Sequence, residues 1–588
     1  MCGFLVTPLS LESDISQNLF DKYISYRGTI PMNQRNWCEY NFKFSRLPIV
    51  DVDSYQNQPF IYENYILVFN GELYNYLEIR KYIKDRFDIK FDSNSDSEVF
   101  LKGFIYLGPK EFFKLAAGMW AYVISDKEGN IYWGRDQFGI KPLYFTKKSK
   151  EFVFSSSQSA LLEFNSEDKL NISNLNNFII TGYQNPNNTS FYNGFELVDP
   201  GYCYSYSKEK DNFKKDCFLF GNDIYAKKNL KDVLKESILS QYPSEVNSTL
   251  ALSGGIDSSA ILHTLHNHNL KINALSLDLY SSKNEKTIIQ QTVKEYDLNH
   301  EFVKVSISEL LCSLRDIIFN LSQPLRSAQP IFQYFLRARA ATLNSKVFLT
   351  GDGSDEIFGG YSQGYYYVLK KYMESGNSSE FITEKLREFS NLLGVSEEEI
   401  KGNIQTLINT KLSNFNFDNE WISNFKFNSE FLPTQPRNIE EYSKFRLYDH
   451  PMPYWLLTED VVSLFNGIET RVPFLDQRLV YKSNFLDKSK FYYKGLNKFL
   501  LREVLQDLPR HIISQKKKYP RPADTSTLIF HKEIEPLIKS FINSSYFKEN
   551  FNNHKNIMRL YEYDKENNIS KRADNWFRLL SSYFFLNL

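Results

Sequence analysis

The sequence predicts a two-domain α/β protein, in which antiparallel sheets and helices precede a doubly wound parallel sheet with added helices. Three observations support this prediction: the length of the chain, strand-like alternation before residue 205, and strand–loop–helix units after residue 229. At 588 residues the chain is too long for a single hydrophobic core, so two or three domains are expected. We assign the first domain to residues 1–205, a linker to 206–228 and the second domain to 229–588.

The first domain reads as short strands separated by turns. Segments such as YILVFNGELYN (65–75) and MWAYVISDKEGNIYWGRD (119–136) alternate apolar and polar residues around polar or glycine-containing turns, which is typical of antiparallel sheet. Apolar residues with helical spacing interrupt the strands at about 76–86 and 96–107. This arrangement predicts sheet layers covered by helices.

The second domain follows a polar, charged stretch, 206–228, that we interpret as the linker. STLALSGGIDSSAILHTL (248–265) runs from an apolar strand through a glycine-rich loop into a helix. KINALSLDLY (271–280) and SKVFLTGDGSDEIFGGY (345–361) are further strands that end in loops. Such units are typical of a parallel, doubly wound sheet. Beyond about residue 370 the pattern is mostly helical.

The composition argues against several classes of protein. Lys and Arg total 70, as do Asp and Glu, so the chain lacks the net charge typical of nucleic-acid or membrane-surface binding. The five cysteines are far apart and form no CxxC pair, which argues against a disulfide framework or a zinc site. The sequence has no apolar run of about 18 residues and no basic segment before its N-terminal apolar run. We therefore expect no membrane span, no signal peptide and a cytoplasmic location.

The most informative stretch is SGGIDS, residues 253–258. Gly254 and Gly255 follow a predicted strand and let the backbone approach an anion closely, while the next helix offers N–H groups and a favourable dipole. The hydroxyls of Ser253 and Ser258 add donors. Asp257 suits an anion site only if a cation lies between its carboxylate and phosphate, and Mg²⁺ can do this. The stretch is not GxxxxGK[ST], so transfer of a γ-phosphate is not indicated.

A second loop, TGDGSDEIFGGY (350–361), also follows a predicted strand and carries acidic residues among several glycines. Because the carboxyl ends of parallel strands meet at one edge of the sheet, the two loops can face one ligand. Asp257 and Asp355 can then share a metal ion. The two loops together predict a phosphate-binding site that uses Mg²⁺.

These motifs resemble a known family. SGGIDSS (253–259) followed by GDGSDEIFGGY (351–361) resembles the PP-loop synthetase domain of glutamine-dependent asparagine synthetases, and the similarity continues at GIETRVPFLDQRLV (467–480) and KFLLREVLQDLP (498–509). The N-terminal half resembles the family's class II glutaminase domain in the segments MCG (1–3), RLPIVD (46–51), FNGELYN (69–75), SDSE (95–98) and GRDQFGIKPLY (134–144). The resemblance covers nearly the whole chain and implies an αββα N-terminal-nucleophile hydrolase fold for the first domain.

In that family the N-terminal cysteine is the nucleophile of glutamine hydrolysis and its own α-amine is the base, which implies Cys2 with Met1 removed. An α-amine with a pKa of about 7.7–8.0 is partly neutral at physiological pH and can accept the thiol proton. Asn70 and Gly71 are implied as the oxyanion hole, with Arg46 meeting the α-carboxylate of glutamine and Asp96 its α-ammonium. The full set implied to bind glutamine is Arg46, Leu47, Pro48, Ile49, Val50, Asn70, Gly71, Glu72 and Asp96.

The family's synthetase domain activates a carboxylate by attack on the α-phosphate of ATP, and ammonia that arrives through an internal tunnel displaces AMP. Asp257 and Asp355 are implied as Mg²⁺ ligands, and Lys498 as the lysine that stabilises charge in the transition states. Arg502, one helical turn further on, either braces Lys498 or pairs on the surface. The residues implied to bind ATP are Ala251, Ser253, Gly254, Gly255, Asp257, Ser258, Leu277, Thr350 and Gly351.

The leading interpretation is a glutamine-hydrolysing synthetase that converts L-aspartate to L-asparagine, with glutamine, ATP and the acceptor as its partners. Departures from the family pattern keep other acceptors open: Asp352 replaces a glutamate common in bacterial members, Gln323 replaces an acid and Gln515 replaces an arginine. Gln137 stands where a basic residue is usual. The first alternative retains the chemistry with a uronic-acid sugar nucleotide or a natural-product carboxylate as acceptor.

Two further alternatives are disfavoured. Intramolecular amide formation of the β-lactam-synthetase type needs no ammonia, yet the groups implied for glutamine hydrolysis are intact. A non-catalytic binding protein predicts lost catalytic groups, yet Cys2, Asp257, Asp355 and Lys498 are all present. The oligomeric state stays open, a homodimer being one option.

Overall fold

The structure is a computed structural model. It describes residues 2–52, 58–148, 150–164, 170–183, 190–278, 283–409, 421, 425, 435–515, 528–551 and 553–587. Within these ranges no helix combines the length and the apolar character needed to cross a membrane.

The described strands form three sheets. They are β1 (Gly3–Pro8), β2 (Asn33–Trp37), β3 (Tyr40–Ser45), β4 (Phe60–Tyr62), β5 (Tyr65–Leu73), β6 (Gly118–Asp126), β7 (Ile131–Arg135), β8 (Tyr144–Lys148), β9 (Glu151–Ser155), β10 (Glu196–Leu197), β11 (Tyr202–Ser207), β12 (Asn212–Cys217), β13 (Asn247–Ala251), β14 (Asn273–Leu277), β15 (His300–Val303), β16 (Ser345–Leu349) and β17 (Glu469–Arg471).

The first two sheets are antiparallel and pack face to face. Their strand orders are β10-β8-β9-β1-β3-β2 and β12-β11-β7-β6-β5-β4. Inward-facing side chains of both sheets, among them Phe4, Phe44, Val68 and Trp133, form the core between them, because alternate residues of a strand point to the same face.

Helices cover both outer faces of this sandwich. Tyr76–Phe87 and Asp96–Leu115 pack on the second sheet, and Ser13–Tyr23, Gln158–Phe164 and Ile172–Thr181 pack on the first. The order helix–sheet–sheet–helix confirms the αββα prediction. Both predicted helices are present. The second is interrupted at Gly108, which has a non-helical φ of +74°, directly after the predicted end at 107, and a further helical segment continues to Leu115.

The third sheet is parallel, with strand order β15-β14-β13-β16-β17. The chain proceeds from β13 to β14 and β15 on one side and then returns to place β16 and β17 on the other side. The order therefore reverses at β13, and the loops after β13 and β16 flank this switch point, where ligands of doubly wound sheets bind. The predicted parallel sheet is confirmed.

Helices surround the parallel sheet and occupy most of the chain after it. They span Asp223–Lys227, Leu230–Ser240, Ile256–His266, Lys283–Glu295, Ile307–Leu321, Gln329–Thr342, Ser354–Phe358, Ser362–Glu374, Ser379–Leu393, Glu397–Asn409, Ile439–Tyr448, Met452–Leu464, Gln477–Ser483, Phe499–Val504, Arg510–Ile513, Glu535–Asn543, Ser545–Asn550, His554–Glu566 and Ala573–Leu586. Shorter 3₁₀ turns span Ser25–Arg27, Pro473–Leu475, Lys488–Tyr492 and Ser570–Arg572.

The segment 206–228, interpreted above as a linker, carries secondary structure. Asn212–Cys217 is β12, which pairs with β11 and forms the edge of the second antiparallel sheet. Every residue of β12 is exposed, so its polar sequence reflects an edge strand, which contributes backbone hydrogen bonds rather than core side chains. The antiparallel sandwich thus extends to Cys217.

The two domains share an apolar interface. Leu47, Met119 and Ile140 of the first domain lie in one buried cluster with Leu252 and Leu475 of the second. Burial of this surface from water holds the two domains together and brings the first sandwich against the parallel sheet.

Candidate active sites

The first candidate site lies at the N-terminal end of β1. The backbone N–H of Cys2 donates a 3.1 Å hydrogen bond to Asn70 Oδ1, which lies on β5. Asn70 is fully buried, and among the described residues no group accepts a hydrogen bond from its Nδ2. A buried donor without a partner is costly, so this atom is suited to a substrate oxygen.

Seven of the nine residues implied to bind glutamine line one pocket, and the other two, Pro48 and Asn70, adjoin lining residues in the chain. It is lined by Cys2, Arg46, Leu47, Ile49, Val50, Gln58, Phe69, Gly71, Glu72, Ser95, Asp96, Ser97 and Glu469. The loop that carries Leu47, Pro48 and Ile49 is held by Arg46, whose Nη2 donates to the carbonyls of Val50 (3.2 Å) and Asp51 (2.8 Å).

The acids of this pocket have perturbed pKa values. Burial raises the pKa of Asp96 to about 6, against a hydrogen bond from the backbone N–H of Leu73 that favours the charged form. Burial also raises the pKa of Glu72, and the guanidinium of Arg471 opposes this rise. Burial raises the pKa of the Cys2 thiol as well. The pocket therefore disfavours the charged forms of Asp96, Glu72 and Cys2. Glu469 differs, because the nearby cations Lys141 and Arg471 outweigh the effect of its burial, lower its pKa and favour its carboxylate.

Gly71 allows the close approach of β5 to β6. A Cβ at this position would lie 2.0 Å from the carbonyl oxygen of Met119 and 2.6 Å from Trp120 Cα. A side chain here would separate the two strands, because backbone atoms cannot yield as the end of a flexible side chain can. The residue next to Asn70 is thus restricted to glycine by packing.

The second candidate site lies at the carboxyl ends of β13 and β16. Ser253 N–H donates a 3.2 Å hydrogen bond to Ser258 Oγ, and Gly254 has a φ of +67°, which closes the loop before the helix that begins at Ile256. This pocket brings together Ala251, Ser253, Gly255, Asp257, Ser258, Leu277, Thr350, Gly351, Asp355 and Lys498. Gly254 belongs to the same loop.

Lys498 occupies the centre of the second site. Its Nζ lies 2.6 Å from Asp257 and 2.6 Å from Asp355, and its side chain is 2% exposed. Burial lowers the pKa of Lys498, but the two carboxylates outweigh this effect and raise it overall. The ammonium group is therefore charged, although it is almost wholly removed from water.

The two carboxylates also suit a metal ion. Asp257 and Asp355 face the same point, and Mg²⁺ is usually held by one or two carboxylates together with phosphate oxygens and water. Across the described ranges no group of three or more His, Cys, Asp or Glu side chains could hold a metal. The donor set therefore fits an ion that arrives with a phosphorylated ligand.

Comparison with known proteins identifies the family. Residues 229–585 match the asparagine synthase family, and residues 1–216 match the glutamine amidotransferase domain. The chain belongs to the asparagine synthase family. It is a glutamine-dependent, asparagine synthetase-like amidotransferase whose two domains carry the two sites described above.

Relatives within the asparagine synthase family resemble the chain over most of its length. Asparagine synthetase [glutamine-hydrolyzing] 1 of Bacillus subtilis (strain 168) is 25% identical over 562 residues, which cover 88% of this chain and 86% of the relative. Asparagine synthetase [glutamine-hydrolyzing] 2 of the same strain is 28% identical over 526 residues, which cover 82% of this chain and 66% of the relative. A putative asparagine synthetase [glutamine-hydrolyzing] 2 of Methanocaldococcus jannaschii is 29% identical over 385 residues, which cover 58% of this chain and 72% of the relative.

Some residues of these asparagine synthase sites were not assigned from the sequence. Glu469 lines the pocket that contains Cys2, although it belongs to the second domain. Glu356 and Tyr361 line the pocket that contains Lys498, and burial raises the pKa of Glu356 to about 7. All three residues lie inside the motifs GIETRVPFLDQRLV and GDGSDEIFGGY. Their position in these motifs is the feature of the sequence that indicates them as site residues.

The contacts of Arg502 show whether it braces Lys498 or pairs on the surface. Its Nε donates to the carbonyl of Asn497 (2.8 Å), and its Nη1 donates to the carbonyl of Ile513 (2.6 Å). Asn497 immediately precedes Lys498, and Arg502 is buried. Arg502 therefore braces the backbone beside Lys498 instead of pairing on the surface.

The departures from the asparagine synthase pattern fall in two places. Gln137 accepts a 3.2 Å hydrogen bond from Phe220 N–H and donates to Tyr448 Oη at 3.0 Å, outside both pockets. Gln323 is buried, also outside both pockets. Asp352 and Gln515 line the pocket that contains Lys498, so these two departures bear on the acceptor.

Proposed function

We propose that the chain hydrolyses glutamine at Cys2 and uses the released ammonia to amidate a carboxylate that has been activated as an acyl-adenylate, with L-aspartate as acceptor and L-asparagine as product. The observation that carries this proposal is the position of Lys498, buried between Asp257 and Asp355 at the carboxyl ends of parallel strands. The same chain holds Cys2 against Asn70 in a separate pocket.

In the first site the Cys2 thiolate attacks the amide carbon of glutamine after Met1 is removed, and the free α-amine takes the thiol proton. The oxyanion that forms is stabilised by Asn70 Nδ2 and the backbone N–H of Gly71. The carbon–nitrogen bond breaks, the proton passes to the leaving nitrogen, and ammonia is released. Water then hydrolyses the thioester to glutamate. Arg46 and Asp96 hold the two charged groups of the substrate.

In the second site an acceptor carboxylate oxygen attacks the α-phosphorus of ATP, and pyrophosphate leaves. Ser253, Gly254, Gly255 and Ser258 bind the pyrophosphate portion, because backbone N–H groups and hydroxyls at a helix N-terminus suit an anion. The remaining nucleotide contacts come from Ala251, Leu277, Thr350 and Gly351. Mg²⁺ held by Asp257 and Asp355 would neutralise phosphate charge.

Ammonia then attacks the acyl carbon of the adenylate, the carbon–oxygen bond to AMP breaks, and the nitrogen releases one proton to water as the amide forms. Lys498 stabilises the negative charge that develops in both steps. The apolar interface that includes Leu47 and Met119 lies between the domains, and it provides a route that keeps neutral ammonia from becoming ammonium in bulk water.

A second candidate keeps this chemistry and changes the acceptor to a uronic-acid sugar nucleotide or a natural-product carboxylate. The observation that favours it is the wall formed by Met452, Trp455 and Tyr361 in the second pocket. Aromatic faces suit a ring or another extended body better than the short side chain of aspartate.

The test supplies purified protein with Mg-ATP, glutamine labelled with ¹⁵N at the amide, and a panel of carboxylates. Labelled asparagine together with AMP and pyrophosphate would support the leading reaction. A labelled amide of another acid, with no asparagine, would replace aspartate with that acceptor. Formation of ADP in place of AMP would exclude the adenylate.

A further inference from the structure

The edge strand β17 of the parallel sheet faces both candidate sites. Its residues alternate, as a strand requires: Glu469 and Arg471 point towards the first domain, and Thr470 points the other way, where its hydroxyl lies 2.6 Å from Ser463 Oγ. A strand of the synthetase domain thus supplies two charged side chains to the region around the glutamine pocket.

Arg471 connects three parts of the chain. Its Nε donates to Glu469 Oε1 at 2.9 Å, its Nη1 donates to the carbonyl of Gln241 at 2.9 Å, and its Nη2 donates to Glu72. The side chain is 1% exposed. The planar guanidinium presents its donors in a fixed geometry, so the position of the Glu72 carboxylate is set from the second domain.

The backbone of the same residue reaches the nucleotide pocket. Arg471 pairs with Leu349 in the parallel ladder, and its carbonyl oxygen accepts a 3.1 Å hydrogen bond from Thr350 N–H. Thr350 begins the loop in which its Oγ1 donates to Asp352 at 2.8 Å. A shift of this loop on nucleotide binding would move Arg471, because the two are joined by a rigid ladder.

A second set of ionic contacts between the two domains lies near the contact between Arg471 and Glu72. Arg27 Nε donates to the carbonyl of Cys2 at 3.2 Å, and its Nη2 donates to Asp460 of the second domain at 2.9 Å. Lys141 Nζ lies 3.9 Å from both Asp460 and Glu469. Each buried charge is stabilised by its partner of opposite charge, because loss of one partner leaves the other unpaired and removed from water.

We propose that Arg471 is a positioning residue for the glutamine site: it holds Glu72 in the orientation that binds glutamine, and its backbone link to Thr350 makes glutamine affinity depend on occupancy of the nucleotide pocket. This inference rests on the proposed function, because it needs Cys2 to hydrolyse glutamine. Arg471 does not line the glutamine pocket and acts through Glu72.

The test compares Arg471→Lys with the parent protein. Lysine retains the charge but lacks the fork that joins Glu72, Glu469 and the carbonyl of Gln241. We expect the KM for glutamine to rise by about tenfold or more, which is the usual effect of removing a group that supports a binding residue, with a smaller change in kcat. The KM for ATP in ammonia-dependent synthesis should stay close to that of the parent.

Arg478→Lys is the matched control. Arg478 is also a buried arginine of the same motif, but it binds Asp476 and Ser240 within its own domain. We expect the control to retain the parent's KM for glutamine. If Arg471→Lys does not fold, Arg471→Gln tests the same connection, because its amide can still donate to Glu72 but lacks the fork, and it should raise the KM in the same direction.

The nucleotide link is tested by measuring glutamine hydrolysis with and without α,β-methylene-ATP. The parent's KM for glutamine should change when the analogue is present, and this response should be lost in Arg471→Lys. An unchanged glutamine KM in the variant, or an equal effect in the control, would overturn the inference and leave the proposed function intact. Absence of glutamine hydrolysis in the parent would instead overturn the proposed function and this inference with it.

Discussion

The backbone N–H of Cys2 donates to Asn70 Oδ1 at 3.1 Å, so the proposed nucleophile is tied to the proposed oxyanion donor. Asn70→Asp keeps an oxygen for Cys2 and removes the Nδ2 donor. We expect kcat for glutamine hydrolysis to fall by about 100- to 1000-fold, the usual cost of one lost oxyanion donor. Glutamate release measures this, and ammonia-dependent synthesis in the same preparation is the control. A kcat close to that of the parent would remove Asn70 from the oxyanion hole.

Cys2→Ala should abolish glutamine-dependent synthesis and spare ammonia-dependent synthesis, because the second site contains Lys498 and both carboxylates without Cys2. Amide product formed with glutamine or with ammonium salt measures the two activities. Cys217→Ala, at an exposed cysteine of β12, should change neither. Loss of both activities in Cys2→Ala would contradict the division of labour between the domains.

The raised pKa of Asp96, about 6, predicts an acid limit for glutamine use. Below this pH the carboxyl group is neutral and loses its attraction for the α-ammonium of glutamine; above it the carboxylate is restored. The value of kcat/KM for glutamine should therefore fall as pH decreases through about 6, since this ratio reports ionisations of the free enzyme. Asp96→Asn should lower kcat/KM above about pH 6, where the parent's carboxylate is charged, and should abolish this decrease of kcat/KM with pH. A decrease that persists in Asp96→Asn would assign it to another group.

Gly360→Ala should disable the second site selectively. A Cβ on Gly360 would lie 1.6 Å from Asp355 Oδ1 and 2.6 Å from Lys498 Cε, so both charged groups must move. Displacement of a reacting group by about 1 Å commonly lowers the rate by about 100-fold. We therefore expect AMP formation to slow by about this factor, while glutamine hydrolysis measured without ATP is retained. Gly402→Ala is the control, because among the described residues no atom outside the neighbouring residues and the backbone of its own helix lies within 4 Å of the added Cβ. Normal AMP formation in Gly360→Ala would contradict the assigned site.

Lys498→Met should remove synthesis and reduce stability. It leaves the buried Asp355 and the half-buried Asp257 without the cation that lies 2.6 Å from each. Breaking a fully buried ion pair costs about 3–5 kcal/mol, so we expect a loss of stability at or below the lower end of this range. The free energy of unfolding from urea titration and AMP formation measure the two effects. Lys490→Met, at an exposed lysine, should preserve both. Unchanged stability in Lys498→Met would show that the two carboxylates do not depend on Lys498.

The two loops of the second site could be predicted because their chemistry is local. Gly254, with its φ of +67°, and the hydroxyls of Ser253 and Ser258 lie within six residues of one another. A backbone that approaches an anion needs these residue types in this order. Apolar spacing along each segment likewise predicted antiparallel sheet layers with helices and a parallel sheet, whereas the αββα order of the layers was implied by the family resemblance.

The edge strand β12 could not be predicted in the same way. Its residues NFKKDC are all exposed. Phe213 packs against the aromatic rings of Trp133 and Tyr204, but the strand has no repeating apolar face and is held largely by backbone hydrogen bonds to β11. Backbone pairing leaves no signal in side-chain composition. The predicted helix end at about 107 agrees with the kink in Asp96–Leu115, where Gly108 has a non-helical φ of +74°. The further helical segment that continues from the kink to Leu115 was not predicted.

The sequence by itself determined the sheet and helix content of each domain and the loop that surrounds Ser253–Ser258, because each depends on residues close together in the chain. It indicated Cys2 as the candidate nucleophile through the order of motifs that resemble the family. Only the tertiary structure decided that Lys498 meets Asp257, 241 residues away, and that Arg471 meets Glu72, 399 residues away. Charged side chains at such separations carry no periodic signal. Their pairing is set by the register of β17 beside β16 and by the burial of the apolar interface between the domains.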